Sequence, residues 1–109
     1  MANDKRYFIL ANYSQKGIAG MVAAPSDRAA AVRKACKAVG VKFLSLDLCR
    51  GAFDVVVAVG SDSFDKVLGL KMAVAATGAV GELHILEPMD PSAALEHAGA
   101  AARAYTPAG

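Results

Sequence analysis

Apolar positions along this chain switch between two spacings, and the switches mark out its elements. Tyr7-Phe8-Ile9-Leu10-Ala11-Asn12-Tyr13 is apolar without a break until Asn12 and is bracketed by Lys5-Arg6 and Ser14-Gln15-Lys16-Gly17. That pattern predicts a strand covered on both faces. Gly17 to Ala24 reads as a permissive connection with room for one helical turn around Ile18 and Met21-Val22. Pro25 suits a first helical turn, and Ser26 or Asp27 supplies a side-chain acceptor for orphan amides, so a helix starts here. Ala29, Val32, Cys36 and Val39 follow at helical spacing with Arg33, Lys34 and Lys37 turned away, and Gly40 stops the helix.

From Val41 to Arg50 the period becomes two, with Leu44, Leu46 and Leu48 on one face and Phe43, Ser45, Asp47 and Cys49 on the other. Gly51-Ala52 reads as a tight connection into a second two-sided apolar strand, Phe53 to Val59, which makes the pair an antiparallel hairpin. Asp62, with Asp65 three residues on, predicts the capped start of a second helix whose buried stripe is Phe64, Val67-Leu68, Met72 and Ala75, ending at Gly78. Val80 to Glu87 alternates as a fourth strand, with Leu83 and Ile85 on one face and Glu82, His84 and Leu86 on the other. Pro88 and Pro91 break the chain before a short alanine-rich helix, Ser92 to Arg103, and Tyr105 to Gly109 reads as a frayed tail.

The order β-α-β-β-α-β, with right-handed crossovers, predicts an α+β, ferredoxin-like fold. Its four-stranded antiparallel sheet has the order 4-1-3-2, two helices on one face, and a short C-terminal helix in addition. Residues 1–90 form the domain; residues 91–109 hold the terminal helix and tail. The first and third strands are central in this topology, and they are also the two that are apolar on both sides. Two helices cover one face of the sheet, so either Tyr7, Ile9 and Ala11 or Phe8 and Leu10 face the other way, with alternate residues of Phe53 to Val59. A contiguous apolar patch of several hundred Å² seldom stays in water. Hiding about 600 Å² contributes on the order of 15 kcal/mol gross, before association costs. The terminal helix folding over the face would supply the cover, and so would a second copy packed sheet to sheet. We take the second copy, in a dimer or higher homo-oligomer, because two-fold assemblies are the commonest.

Composition narrows the function classes. The 109 residues are 55% hydrophobic and 20% charged, with a formal net charge of +2, and the mean hydropathy is +0.36. That balance excludes disorder. No basic cluster accompanies the small positive charge, so nucleic acid is not an expected partner. The N-terminal Met1-Ala2-Asn3-Asp4 has no apolar leader segment, and no run approaches the roughly 18 apolar residues of a membrane span. The reading is a cytoplasmic protein with no membrane partner. Cys36 and Cys49 are too few for a disulfide framework and lack metal-ligand spacing, so they read as reduced thiols. No phosphate-binding glycine motif or G-x-S-x-G elbow is present. No cofactor and no metal are expected.

Several segments resemble one family. Asn12-Tyr13-Ser14-Gln15-Lys16-Gly17-Ile18 looks like the N/Y-T/S-x-x-G-I segment of GYD-domain proteins, and Pro25 and Arg28 fit that family's first-helix start. Gly51-Ala52-Phe53-Asp54-Val55-Val56 is similar to its G-x-Y/F-D-V-V signature, with Phe53 where tyrosine is common. Ala75-Ala76-Thr77-Gly78-Ala79-Val80 resembles the glycine-marked end of its second helix. The likeness covers approximately residues 5 to 90. It implies a bacterial or archaeal ferredoxin-like, oligomerising protein and no particular chemistry. Phe53 lacks the hydroxyl that tyrosine would bring. Small monooxygenases, isomerases and regulatory ligand binders are built on similar oligomers, which is an analogy of fold alone.

The candidate site residues each carry two readings. Asp54, in the Gly51-Phe53-Asp54 motif, is either a base or acceptor beside a ligand cleft, or an acceptor of amides that fixes the turn that Gly51 permits. We favour the turn. Asn12, Tyr13 and Gln15 give an apolar strand a polar end, which lines a pocket or simply shapes the loop. Ser45, Asp47 and Cys49 read as small residues of an edge strand at an interface, since a nearby carboxylate raises a thiol pKa. His84 with Glu82 offers too few ligands per chain for a metal without a partner subunit; an exposed or interface histidine is the better reading. His97, with Glu96, reads as surface. Together these point to a non-catalytic homo-oligomeric module for assembly or small-ligand binding. The alternative is a cofactor-independent enzyme of the dimeric α/β-barrel type, monooxygenase- or isomerase-like, working through Tyr13, Asp54 or His84.

Overall fold

The computed structural model of the protein describes residues 4–109; Met1 to Asn3, where the absence of a leader was read, lie outside them. The elements are β1 (Lys5–Tyr13), α1 (Gln15–Ala23), α2 (Arg28–Val39), β2 (Lys42–Leu48), β3 (Val55–Ser61), α3 (Phe64–Ala76), β4 (Val80–Leu86) and α4 (Ser92–Ala104). The four strands form one antiparallel sheet in the order β2-β3-β1-β4. Read from the other edge this is the expected 4-1-3-2, and the two doubly apolar strands are central.

The pleat divides the central strands cleanly. Tyr7 and Ala11 of β1 and Val55, Val57 and Val59 of β3 point into one core with Cys36 of α2 and Val67 and Leu70 of α3. Ile9, Leu83 and Ile85 pack against it. Full burial of a valine or leucine is worth about 1.5–3 kcal/mol, so this layer supplies most of the stability. The even positions of β1, Phe8 and Leu10, face the other way with Val56 and Ala58 of β3.

Three helical boundaries follow the sequence pattern. Asp27 caps α2, its Oδ1 accepting the Ala30 N–H at 3.0 Å. Gly40 ends α2 at φ 74°, where its own N–H returns to the carbonyls of Cys36 and Lys37. Gly78, at φ 75°, follows the end of α3.

Other expectations need correction. Gly17 to Ala24 is no mere connection: α1 is a nine-residue helix from Gln15, capped by Ser14, whose Oγ accepts the Gly17 N–H at 3.1 Å. The element order therefore carries an additional helix after β1. β2 does not alternate throughout. Phe43 pairs with Val59 and Ser45 with Ala58, so a bulge at Leu44 returns Phe43 to the same face as Leu46. β3 starts at Val55, and the link from β2 runs from Cys49 to Asp54 instead of being a two-residue turn. Ser63, not Asp62, is the N-cap of α3; Asp62 instead pairs with Lys66 at 3.0 Å. The inward line of α3 runs through Val67 and Leu70, while Phe64 and Met72 are exposed.

α4 buries no side chain, and Gly99 alone in it is partly buried. The helix is about 20 Å long at 1.5 Å per residue. The protein is correspondingly elongated, 59 × 40 × 23 Å, with a radius of gyration of 17.9 Å; a compact domain of this length would have about 13 Å. No helix among the described residues is long and apolar enough to cross a membrane.

Candidate functional site

Asp54 ties three segments together at one end of the sheet. Its Oδ2 accepts the Tyr13 N–H at 2.9 Å, beyond the last β1–β3 pair. Its own N–H is shared between Asn12 Oδ1 at 3.1 Å and the Ala11 carbonyl at 3.0 Å. Its carbonyl accepts the Cys49 N–H at 2.8 Å, which closes the β2–β3 loop. Gly51 in that loop sits at φ 125°, a conformation that L side chains rarely adopt. All these bonds are internal, and they extend the β1–β3 ladder by side-chain means.

The pleat then splits the candidate residues between the two faces. The Tyr13 side chain packs against the core. Asn12 pairs across β4 with Glu82, and Leu10 with His84, so Asn12 and His84 belong to the opposite, open face. His84 Nε2 lies 3.0 Å from Glu82 Oε2, and Phe53 meets the imidazole edge-on at 5.5 Å. The structure brings Asn12, Asp54 and the Tyr13 backbone together and places Phe53 against His84. Gln15 is exposed at the start of α1 and joins neither group.

The open face reads in rows across the sheet. Lys42–Gly60–Arg6 stands at one end, followed by Ser45–Ala58–Phe8–Leu86 and then Asp47–Val56–Leu10–His84, with Asn12–Glu82 at the other end. A Cβ placed on Gly60 would lie 3.8 Å from the Lys42 Cβ, which fixes both on one side. Arg6 lies over the Phe8 ring at 5.1 Å. The face thus has a basic end, where the Asp4 carboxylate also stands beside Gly60, an apolar middle and an acidic end.

Behind the sheet, between its inner face and the pair α2 and α3, is a cavity of about 160 Å³. Apolar side chains such as Ile9, Leu46, Val57 and Leu83 line most of it, and Tyr13, Arg28, Lys71 and Thr77 supply its polar groups. Arg28 opens α2, and its Nη1 donates to Ser26 Oγ at 3.0 Å. Sequence reasoning did not single out Lys71. Its signal was a lysine set between Leu70 and Val74, on the stripe that runs from Val67 at helical spacing.

Burial pushes the Cys36 thiol pKa up. A hydrogen bond from Lys66, with its charge, holds the Asp62 carboxyl below the usual range, and a hydrogen bond from the Ser92 hydroxyl does the same for Asp90. None of these three groups lines the cavity. Among the described residues, no three of His, Cys, Asp or Glu gather as metal ligands.

Two solved structures agree with this geometry at the level of fold. A transcriptional regulator from Neisseria meningitidis, solved in complex with L-Met, is similar at a TM-score of 0.57 and 15% identity, over 79% of this chain and 50% of that one. MtbAldR gives 0.53 and 9%, over 80% and 54%. A hypothetical protein from Pyrococcus horikoshii gives 0.49 and 12%, over 78% and 89%. This chain spans about half the length of the first two, and the likeness to them is one of fold. No curated protein matches the sequence. The profile of the GYD domain matches residues 7–98, from β1 into α4, across the Gly51-Phe53-Asp54 loop, and on that match the chain belongs to the GYD-domain family.

Proposed function

We propose that this chain is a non-catalytic module, its domain in residues 1–90, that works as a homo-oligomer closed through the open face of its sheet. One observation carries the reading: Phe8, Leu10, Val56 and Ala58 form the apolar middle of the sheet face turned away from the core that α2 and α3 pack against. The ferredoxin-like arrangement, with α2 and α3 on the inner face, leaves that side to a second copy.

The charge layout supports a particular packing. A two-fold axis lying in the plane of the face and crossing the strands reverses strand direction between copies. The basic end of one protomer, Arg6 and Lys42, then stands over the acidic end of its partner. A self-complementary patch of this kind is what a two-fold interface requires. Opposite charges at the rim set register more than affinity, and the apolar middle supplies the binding energy.

Light-scattering mass tests the assembly. The expected result is a dimer or higher for the native chain and a monomer for Phe8→Glu, which buries a carboxylate in the middle of the interface. A native monomer, or an unchanged mass for Phe8→Glu, overturns it.

The cavity behind the sheet favours a second reading, a cofactor-independent enzyme with Tyr13 in its pocket. Its lining is apolar over most of its extent, with Tyr13, Arg28, Lys71 and Thr77 as the polar groups, and that make-up supports reading the cavity as a binding chamber.

A further inference from the structure

We propose that the chamber between the sheet and the pair α2 and α3 binds a small amphipathic monocarboxylate, its carboxylate held by Arg28 and Lys71 and its apolar tail inside. The inference goes beyond assembly, since the chamber lies on the inner side of the sheet and is built from one protomer.

The lining carries two cations and no carboxylate. Among the described residues neither Arg28 nor Lys71 takes part in an ion pair. Arg28 spends one donor on Ser26, leaving guanidinium N–H groups for a fork that matches a carboxylate. Both side chains are only half-buried, so they stand where an apolar chamber meets water. Tyr13, Arg28 and Thr77 also line a shallower neighbouring cavity that extends toward Lys16 and Gly20, which marks them as the polar threshold between the two spaces.

Size sets the tail. A cavity of about 160 Å³ is close to the volume of roughly 150 Å³ that admits a benzene ring. One ring or a short branched chain fits; a long acyl chain does not. Charge sets the head. A monoanion between two half-exposed cations keeps its desolvation cost low, whereas a phosphate dianion would lose more hydration for the same two partners.

Titration of the full chain by calorimetry, with benzoate and isovalerate as probes, tests the proposal. Benzyl alcohol serves as the neutral isostere, phenyl phosphate as the dianion and acetate as the tail-less acid. Benzoate or isovalerate should bind at least tenfold tighter than benzyl alcohol and acetate, since a bond to a charged group is worth about ten- to a hundredfold. Arg28→Gln and Lys71→Gln should each remove about tenfold without changing the melting curve, because both side chains reach the solvent. Val57→Phe, which fills the chamber, should abolish binding, and a cooperative circular-dichroism melt checks that it folds. Equal affinity for benzyl alcohol, tighter binding of phenyl phosphate, or full affinity in both Gln variants overturns the proposal. The oligomer mass is read separately, so failure here leaves the assembly reading standing.

Discussion

Gly17→Ala offers a sharp test of how α1 is seated. A Cβ at Gly17 would fall on the carbonyl oxygen of Ala79 and within 3.0 Å of its carbonyl carbon. The obstacle is backbone, so it cannot swing aside as a side chain would. That oxygen also accepts the Ser14 N–H at 2.9 Å, and Ser14 Oγ donates to the Gly78 carbonyl, so moving α1 away strains both bonds. Overpacking of this sort costs about 1–3 kcal/mol, and a weakened hydrogen bond adds roughly 1 kcal/mol. Against that, alanine is favoured over glycine in a helix by about 1 kcal/mol. The net expectation is a loss of about 1–3 kcal/mol, or roughly 5–15 °C in Tm for a domain of this size. Gly20 in the same helix and Gly69 in α3 have open space where a Cβ would go. Gly20→Ala and Gly69→Ala should therefore stabilise by about 0.5–1 kcal/mol each. Thermal and urea melts followed by circular dichroism, at one protomer concentration, compare the three. If Gly17→Ala is as stable as Gly20→Ala, the close approach of α1 to the Ala79 backbone is wrong.

Three further outcomes are expected. Asp54→Ala leaves the half-buried Tyr13 N–H without its acceptor and should cost about 1–3 kcal/mol, with Asp54→Asn recovering part of it; a urea melt that shows no difference between Ala and native would remove the strand-locking role. Thiol-specific labelling of the native protein should modify the exposed Cys49 at once and the buried Cys36 only on unfolding; equal rates would contradict the core position of α2. Burial raises the Cys36 pKa above its ordinary 9.0, so the unfolded chain loses that proton first: the stabilisation is intact below pH 9.0 and is lost as pH rises through the folded value. A Cys36→Ala variant should lose that alkaline component in denaturant melts taken along a pH series.

Much of the sheet was legible because its central strands are apolar on both faces, and few topologies seat two such strands side by side with this connectivity. What escaped had local causes. α1 was masked by Gly17 and Gly20, which lower helix propensity; the signal for it was Ser14 placed as a cap ahead of Ile18, Met21 and Val22. The bulge at Leu44 was hidden because Leu44, Leu46 and Leu48 alternate without a break, whereas the fold puts Phe43 in place of Leu44 on the face of Leu46. The function of Asp54 was half legible: an aspartate fixing a turn was the favoured reading, but its carboxylate reaches across to β1. No spacing rule shows a bond between positions 41 residues apart. The presence of Arg28 and Lys71 on the lining of one chamber was likewise invisible, since the two lie on different helices.

α4 carries a consequence of its own. Thirteen residues are close to the shortest length at which an isolated alanine-rich segment stays wound in water, and this one presses no side chain into its own body. Its coiling therefore rests on local propensity alone, and on warming it should fray before the sheet gives way, a loss of helical signal that runs ahead of the main melt.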